Sequence, residues 1–434
     1  MDRQLNSDEA FEFAFSCHKT GDTENAKATY LRILEAVPEE PRSLHFLGIL
    51  LHQEEKSDLA LSCVKRSIEL FPDSPDWRND LGNILADRGD FAGAVAEFES
   101  AIVLMPGNPV YWNNLGAVQD RCGRSAEAYL SFQEAIAIDP FFGDALINLA
   151  SLLDREGRQV EATEYHCRAY VLAPTHGKPK SMLGIAYCRL GRLAEAAEIY
   201  REWMFEEPDN PIPKHHFLAC SKAAVPLRAS DDYVEKHFDR SAANFDFNLN
   251  NIAYRGPEMI GRALERVAAD SRGFSVLDAG CGTGLCASML SVYAKRLIGV
   301  DLSSAMLDEA KKRGLYHELV KCEITHYLAE HPDCFDLVAA ADTLIYFGAL
   351  EELFSAAYSA LRPGGFLVFT VEDERSANAT FSFNPNGRYS HGKDYLDTLL
   401  LQSGFELLAM DSDIIRVEFG MPVAGLTITV RRKL

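Results

Sequence analysis

Prolines stand at positions 38, 72, 106, 140, 174 and 208, each 34 residues after the one before. A strict period of this length marks a helical repeat array, in which a unit buries its apolar face only against its neighbours. Alignment on the prolines gives units 7–40, 41–74, 75–108, 109–142, 143–176 and 177–210. Other columns keep the period. Ala26, Ala60, Ala94, Ala128, Ala162 and Ala196 share one position, and Gly48, Gly82, Gly116 and Gly184 another, with Ala150 in the fifth unit. Leu47, Leu81, Leu115, Leu149 and Leu183 precede that column. Two short antiparallel helices per unit satisfy the pattern. Small residues let the paired helices approach, and the proline blocks continuation of the second helix.

The repeats resemble the tetratricopeptide family, most closely in "YWNNLGAVQDRCGRSAEAYLSFQEAIAIDP". The resemblance implies a superhelix whose groove takes a protein or peptide. Just before the column leucine stand Asp80, Asn114 and Asn148. At the similar position of related arrays, asparagines hold a peptide backbone, for which an amide suits because it both donates and accepts. Asn114 and Asn148 are therefore the expected acceptor-recruiting residues. The competing readings are amides that are solvated or cap locally, and an array that only props up its neighbour or mediates homo-oligomerisation.

After Pro208 the period fails. The expected organisation is a repeat array over 1–210, a linker over 211–232 and a second domain over 233–434. The linker begins in "EEPDNPIPKHHF". Tyr233, Phe238, Phe245 and Tyr254 follow in a helical stretch, as core residues or as a lid over a pocket. From Phe274 onward strand and helix signals alternate: "FSVLDAG", "KRLIGVDLS", "HELVKCE", "FDLVAAAD" and "GGFLVFTVE" read as strands between helices. That alternation predicts an α/β domain with a mostly parallel sheet. Segments 406–415 and 423–431 have no long helix between them and read as an antiparallel hairpin at the sheet's edge.

The stretch "VLDAGCGTG" carries three glycines at alternate positions after a strand. Gly280, Gly282 and Gly284 turn the chain sharply and leave bare backbone for a ligand. The spacing differs from the dinucleotide pattern, and Asp278 at the strand's end would repel a pyrophosphate. It can instead accept a hydrogen bond from an ammonium group. Asp301 ends the next strand, where an acid accepts from ribose hydroxyls. A ligand with a cationic amino-acid end and a ribose, lacking phosphates, is S-adenosylmethionine.

With "GVDLS", "FDLVAAADTLIYF" and "LRPGGFLVF", this stretch resembles the class I S-adenosylmethionine-dependent methyltransferases. "YRGP", "GRYSH" and "VEFGMPVAGLTITVRR" are similar to bacterial methyltransferases that carry tetratricopeptide repeats. The resemblance implies a Rossmann-like, seven-stranded sheet with a C-terminal antiparallel hairpin. It also implies roles: Asp278 and the backbone of Gly280, Cys281, Gly282 and Gly284 for the methionine end, Asp301 for the ribose, and Leu302 against the adenine. Glu323 would meet the adenine amino group, with Ile324 beside it.

Methyl transfer is an in-line displacement in which the protein chiefly aligns the partners, and a base is needed only if the nucleophile must lose a proton. Asp342 and Tyr346 follow the fourth strand and are expected to face the methyl group. His391 is the candidate general base, since its ordinary pKa lies near neutrality; a capping or surface histidine is the alternative. Arg388 and Tyr389 lie in an expected substrate loop. No Asn-Pro-Pro-Tyr follows the fourth strand, which argues against methylation of an exocyclic DNA amine or a glutamine side chain.

A formal charge of −21 disfavours nucleic-acid partners. No apolar run approaches the roughly 18 residues of a membrane span, and no secretory signal opens the chain. Ten cysteines without a Cys-x-x-Cys pair fit a reducing, cytoplasmic setting and no metal site. The expected function is a methyltransferase whose array recruits a protein or peptide acceptor. The alternatives are a small-molecule methyltransferase with repeats for assembly, and a non-catalytic adaptor.

Overall fold

The computed structural model describes residues 7–269, 271–376 and 379–434. The chain divides into two compact units, 1–172 and 173–434.

The first unit pairs α1 (Ser7–Lys19) with α2 (Thr23–Ala36), α3 (Pro41–Gln53) with α4 (Ser57–Leu70), and α5 (Pro75–Asp87) with α6 (Phe91–Leu104). It continues with α7 (Pro109–Arg121), α8 (Ser125–Ile138), α9 (Gly143–Arg155) and α10 (Gln159–Tyr170). The period 34 has visible causes. At Gly82 a Cβ would come within 2.6 Å of the Phe98 ring, and at Gly116 within 2.7 Å of Phe132, so a larger residue would push the helices apart. Gly89 ends the turn after α5 at φ +83°, a conformation that strains other residues. Asp90 then caps α6 by accepting from the Gly93 amide at 3.0 Å.

The asparagines of the array do something the sequence reading did not see. Asn114 Nδ2 donates to Asn79 Oδ1 and Asn148 Nδ2 donates to Asn113 Oδ1, each at 2.9 Å. One register step earlier His45 Nε2 meets Asp80 Oδ2 at 3.1 Å. The residues form a ladder that ties each repeat to the next, and half of each expected peptide-holding amide is committed to it. The missed signal was the adjacent column His45, Asn79 and Asn113, which obeys the same period. Asn114→Ala leaves the buried Asn79 carbonyl without its donor. It should cost about 1–3 kcal/mol in urea denaturation of the full chain; an unchanged midpoint would show the rung to be incidental.

The second unit opens with α11 (Lys180–Arg189), α12 (Leu193–Glu206) and α13 (Pro211–Ser221). The division falls between Leu172 and Ala173, whereas a linker was expected over 211–232. Helix α10 stops at Tyr170, ahead of Pro174, and no helix covers 171–179. Then come α14 (Asp231–Ser241), α15 (Phe245–Asn251) and α16 (Gly256–Ala268). The sheet is built from β1 (Phe274–Ala279), β2 (Ala294–Asp301), β3 (Glu318–Lys321), β4 (Phe335–Ala340), β5 (Leu361–Asp373), β6 (Phe381–Phe383), β7 (Tyr389–His391), β8 (Phe405–Glu418) and β9 (Met421–Arg432). Helices α17 (Ala287–Ser291), α18 (Ser304–Lys312), α19 (Ile324–Ala329), α20 (Glu351–Ala360) and α21 (Lys393–Gln402) intervene.

Strands run β3-β2-β1-β4-β5, all parallel. β9 pairs antiparallel with β5, and β8 lies outside it, so the expected C-terminal hairpin extends the sheet. The expected loop after β5 instead forms the short β6–β7 pair, with β7 beside the end of β5. Reversal of strand order occurs at β1, with β2 on one side and β4 on the other, which opens a crevice at the strands' carboxyl ends. Apolar helices cover both faces: Phe354 and Leu396 pack on one, Ile260 and Leu290 on the other.

Candidate functional site

A cavity of about 230 Å³ lies at that crevice. Its first wall is the glycine loop. The amides of Gly280 and Cys281 donate to Val300 O at 2.8 and 3.0 Å, which folds the loop over the end of β2. Gly280 (φ +74°) tolerates no side chain, since a Cβ would meet Thr343 at 2.3 Å. At Gly282 (φ +52°) a Cβ would point into open space, so bare backbone faces the cavity there.

Asp301 fixes this loop. Its Oδ2 accepts from the Gly282 amide at 2.9 Å and its Oδ1 from the Ser303 amide at 2.8 Å. Burial raises its pKa, against those amides. Leu302 and Ile324 line the same wall. Glu323 caps α19, accepting from the His326 amide at 2.8 Å through Oε2, while its buried Oε1 has no partner.

Asp278 is brought close but not to the surface. It is 2% exposed and accepts from the Tyr316 hydroxyl at 2.6 Å, below the loop. Burial pushes its carboxyl up to about 7; the tyrosine opposes this and the charge of Asp301 adds to it. Neither Asp278 nor Gly284 lines the cavity, whereas Gly280, Cys281 and Gly282 do.

A cap covers part of the cavity. Phe238 and Phe245 line it from α14 and α15, and Tyr254 from the turn that follows, so these aromatics form a wall. Tyr233 instead stacks on His215, ring centroids 3.7 Å apart. Three acids fasten the cap. Asp246 accepts from Thr283 Oγ1 and Arg313 Nη2, both at 2.5 Å. Asp239 accepts from Ser303 Oγ, and Glu235 from Lys321 Nζ, each at 2.5 Å.

The far end is charged. Arg416 on β8, 1% exposed, donates through Nη1 to both oxygens of Asp342 at 2.9 and 2.8 Å. Its Nε reaches Glu418 at 2.6 Å and its Nη2 pairs with Glu372. Arg388 Nη2 lies 2.6 Å from both Glu418 oxygens. Its Nε stands 2.9 Å from Glu372 Oε1 at an angle that makes no hydrogen bond. Burial raises the Glu372 pKa against the two guanidinium groups. At Glu418 burial also acts upward, but Arg388 and Arg416 outweigh it and the net shift is down. Asp342 takes φ +57°, left-handed for a non-glycine residue, which holds it under the cavity. Tyr346 lies beside it on the wall.

The structure does not bring His391 or Tyr389 to this wall. His391 is fully buried on β7, Nε2 3.1 Å from Gly348 O, and burial pushes its pKa down to about 4. The Tyr389 hydroxyl donates to Pro226 O at 2.9 Å. Asn114 and Asn148 belong to the first unit. Sequence reasoning missed Arg416 and Glu418, although residues two apart on a strand share a face and a charged pair in a buried hairpin is unusual. Among the described residues no helix is long and apolar enough to cross a membrane, and no cluster of three or more His, Cys, Asp or Glu could hold a metal.

Comparison with known proteins adds sequence evidence to this geometry. Residues 276–365 match a family model described as a methyltransferase domain. Residues 47–111, 110–142 and 179–202 match models described as tetratricopeptide repeats. Magnesium-protoporphyrin O-methyltransferase of Rhodobacter capsulatus is 36% identical over 159 residues, 32% of this chain and 67% of that protein. Malonyl-[acyl-carrier protein] O-methyltransferase of Yersinia pestis is 30% identical over 156 residues, 35% of this chain and 54% of the relative. Trans-aconitate 2-methyltransferase of Paracidovorax citrulli is 34% identical over 102 residues, 23% and 39% of the two chains. The chain thus spans about half, or less, of the last two relatives.

Proposed function

We propose that this chain, which belongs to the S-adenosylmethionine-dependent methyltransferases and carries tetratricopeptide repeats, moves a methyl group from S-adenosylmethionine to an acceptor recruited by its repeat array. The observation that carries the reading is the buried, unpartnered Glu323 Oε1 on the same wall as the bare Gly282 backbone. One acceptor atom and one stretch of naked chain are what an adenine amino group and a methionine end require.

S-adenosylmethionine supplies a methyl group already activated on a sulfonium, so the residues have binding and alignment to perform. Glu323 would accept from the adenine amino group while Leu302 and Ile324 pack on the ring. Asp301 has lone pairs left beyond its two amide donors and would take a ribose hydroxyl. Asp278, one layer below the loop, would supply negative charge to the ammonium end. Both Asp342 oxygens already accept from Arg416, so Asp342 suits orientation of the acceptor, with Tyr346 and Arg388 beside it. The aromatic cap would exclude water from the reacting centre. This arrangement uses no histidine base.

A protein or peptide acceptor is supported by the strict array. The ladder leaves Asn114 and Asn148 part of their hydrogen-bonding capacity, so they remain the proposed peptide contacts. The aromatic lining and modest volume of the cavity favour a second reading, a small acceptor. Methyl-label transfer in a cell lysate separates the two by the size of the labelled product.

Asp301→Ala should weaken S-adenosylmethionine binding in calorimetry by about 1.5–3 kcal/mol, as for a lost hydrogen bond to a charged group. Asp301→Asn keeps an acceptor for one loop amide and should lose less. Wild-type affinity in both variants would remove the ribose assignment.

A further inference from the structure

Cys188 on α11 and Cys220 on α13 bring their sulfurs to 3.2 Å. Neither residue lines the cavity or takes part in the methyl-transfer reading. Both sulfurs face one carbonyl, Pro385 O, at 3.9 and 4.0 Å. That carbonyl belongs to a tight turn: the Gly387 amide donates to Asn384 O and the Asn384 amide to Arg388 O, each at 2.8 Å. His215, also on α13, grips the same turn through Nε2, 2.7 Å from Gly387 O. Arg388, at the end of the turn, is the residue that reaches Glu418 and Glu372 on the cavity wall.

We propose that Cys188 and Cys220 form a reversible disulfide by exchange with a low-molecular-weight disulfide, and that closing this bond loosens the turn that carries Arg388. A disulfide needs about 2.05 Å between sulfurs, so the pair must close by roughly 1 Å, which side-chain rotation on two packed helices can supply. Exposure sets the order of events. Cys188 is partly exposed and Cys220 is buried, so Cys188 meets the reagent. Its thiolate attacks one sulfur of the small disulfide, forms a mixed disulfide and expels one thiolate. Cys220 then gives up its proton, attacks Cys188 Sγ and expels the second. Two protein thiols are oxidised by two electrons, and the small disulfide is reduced to two thiols.

Electrostatics agrees with those roles. The hydrogen bond from Cys220 lowers the Cys188 pKa against burial, with Arg189 adding to the effect. The same contact, with burial, raises Cys220. With Cys220 donating to Cys188, the Cys188 S–H is the proton left for Pro385 O; the disulfide has no S–H group, so that carbonyl loses its sulfur donor when the bond forms, while the His215 grip on the turn remains. The chemistry at the sulfurs stands whether or not the methyltransferase reading does.

The test uses the full chain with glutathione disulfide, followed by thiol blocking and non-reducing peptide mapping. The expected product links the Cys188 and Cys220 peptides and reverts with glutathione. Cys220→Ser should stop at a glutathione adduct on Cys188, and Cys188→Ser should leave Cys220 unmodified. In the oxidised wild-type chain the amides of Asn384 and Gly387 should lose protection from hydrogen exchange. Unlinked peptides, or Cys220 modified without Cys188, would overturn the site. A linked peptide with unchanged exchange at 384–388 would overturn the coupling to Arg388.

Discussion

Replacing Arg416 by methionine should destabilise the chain by about 3–5 kcal/mol. The guanidinium is 1% exposed and is shared by Asp342, Glu372 and Glu418. Removing it leaves those carboxylates with Arg388 as their remaining cation in the cluster, and Arg388 reaches only Glu418 and Glu372. Asp342 would then be a half-buried charge without its guanidinium partner, held in a strained backbone. The unfolded chain solvates all of these groups, so the whole penalty falls on the folded state. Arg416→Lys should not restore stability, because one ammonium cannot meet three carboxylates across a planar fork. Adding Glu372→Gln to Arg416→Met should recover part of the loss, since it removes one uncompensated charge. Urea denaturation measures all three; a loss under about 1 kcal/mol for Arg416→Met would mean that the network is solvated, as exposed ion pairs are.

Asp278→Asn should act in the opposite direction. The folded carboxyl, pushed up to about 7 from an ordinary 3.8, holds a proton that the unfolded chain has released. Folding therefore binds protons between about pH 4 and 7, and stability falls as pH rises through that window. Above pH 7 the full penalty is present; below the ordinary value it is absent. Asparagine keeps an acceptor for the Tyr316 hydroxyl and carries no charge. It should stabilise the ligand-free chain at pH 8 by on the order of 3 kcal/mol and leave it unchanged near pH 3.5. Binding should show the other face of the same group. An ammonium near Asp278 favours the ionised form, so S-adenosylmethionine affinity should rise with pH up to 7, by at most about tenfold per unit. The variant should lose both affinity and that dependence. Thermal melts and calorimetry across pH 6–8 read both effects, and a variant no more stable than wild type at pH 8 would contradict the buried-charge argument.

Much of this architecture was legible because its signals are local. The prolines, the small-residue columns and the strand–helix alternation report on neighbours within a few tens of residues. The crevice end of β1 and β2 was legible for the same reason: Gly280, Gly282 and Asp301 sit within one strand–turn–strand unit. What escaped is long-range. Arg416 meets Asp342 from 74 residues away, and no periodicity links them. Asp278 is covered by Tyr316 from another turn, so the acid expected to meet the ammonium end is buried below the cavity wall. His391 was attractive by chemical type, but its β7 position is fixed by pairing with β5, beyond reach of a pattern argument. The β6 and β7 strands, Phe381–Phe383 and Tyr389–His391, are too short to carry an alternation at all.

The ladder of the first unit joins a residue to one 35 positions later, while the repeat itself measures 34. Each middle repeat thus carries half of one rung and half of the next: Asn113 receives from the following unit and Asn114 gives to the preceding one. Units 75–108 and 109–142 present the same accepting asparagine. If the second of these were lost or copied in frame, Asn79 would meet Asn148, or Asn113 a second copy of Asn114, and an amide would still lie opposite an amide. An array wired in this manner can change length by inheritance without inventing a new surface, and its reach can be tuned separately from the chemistry of the sheet domain.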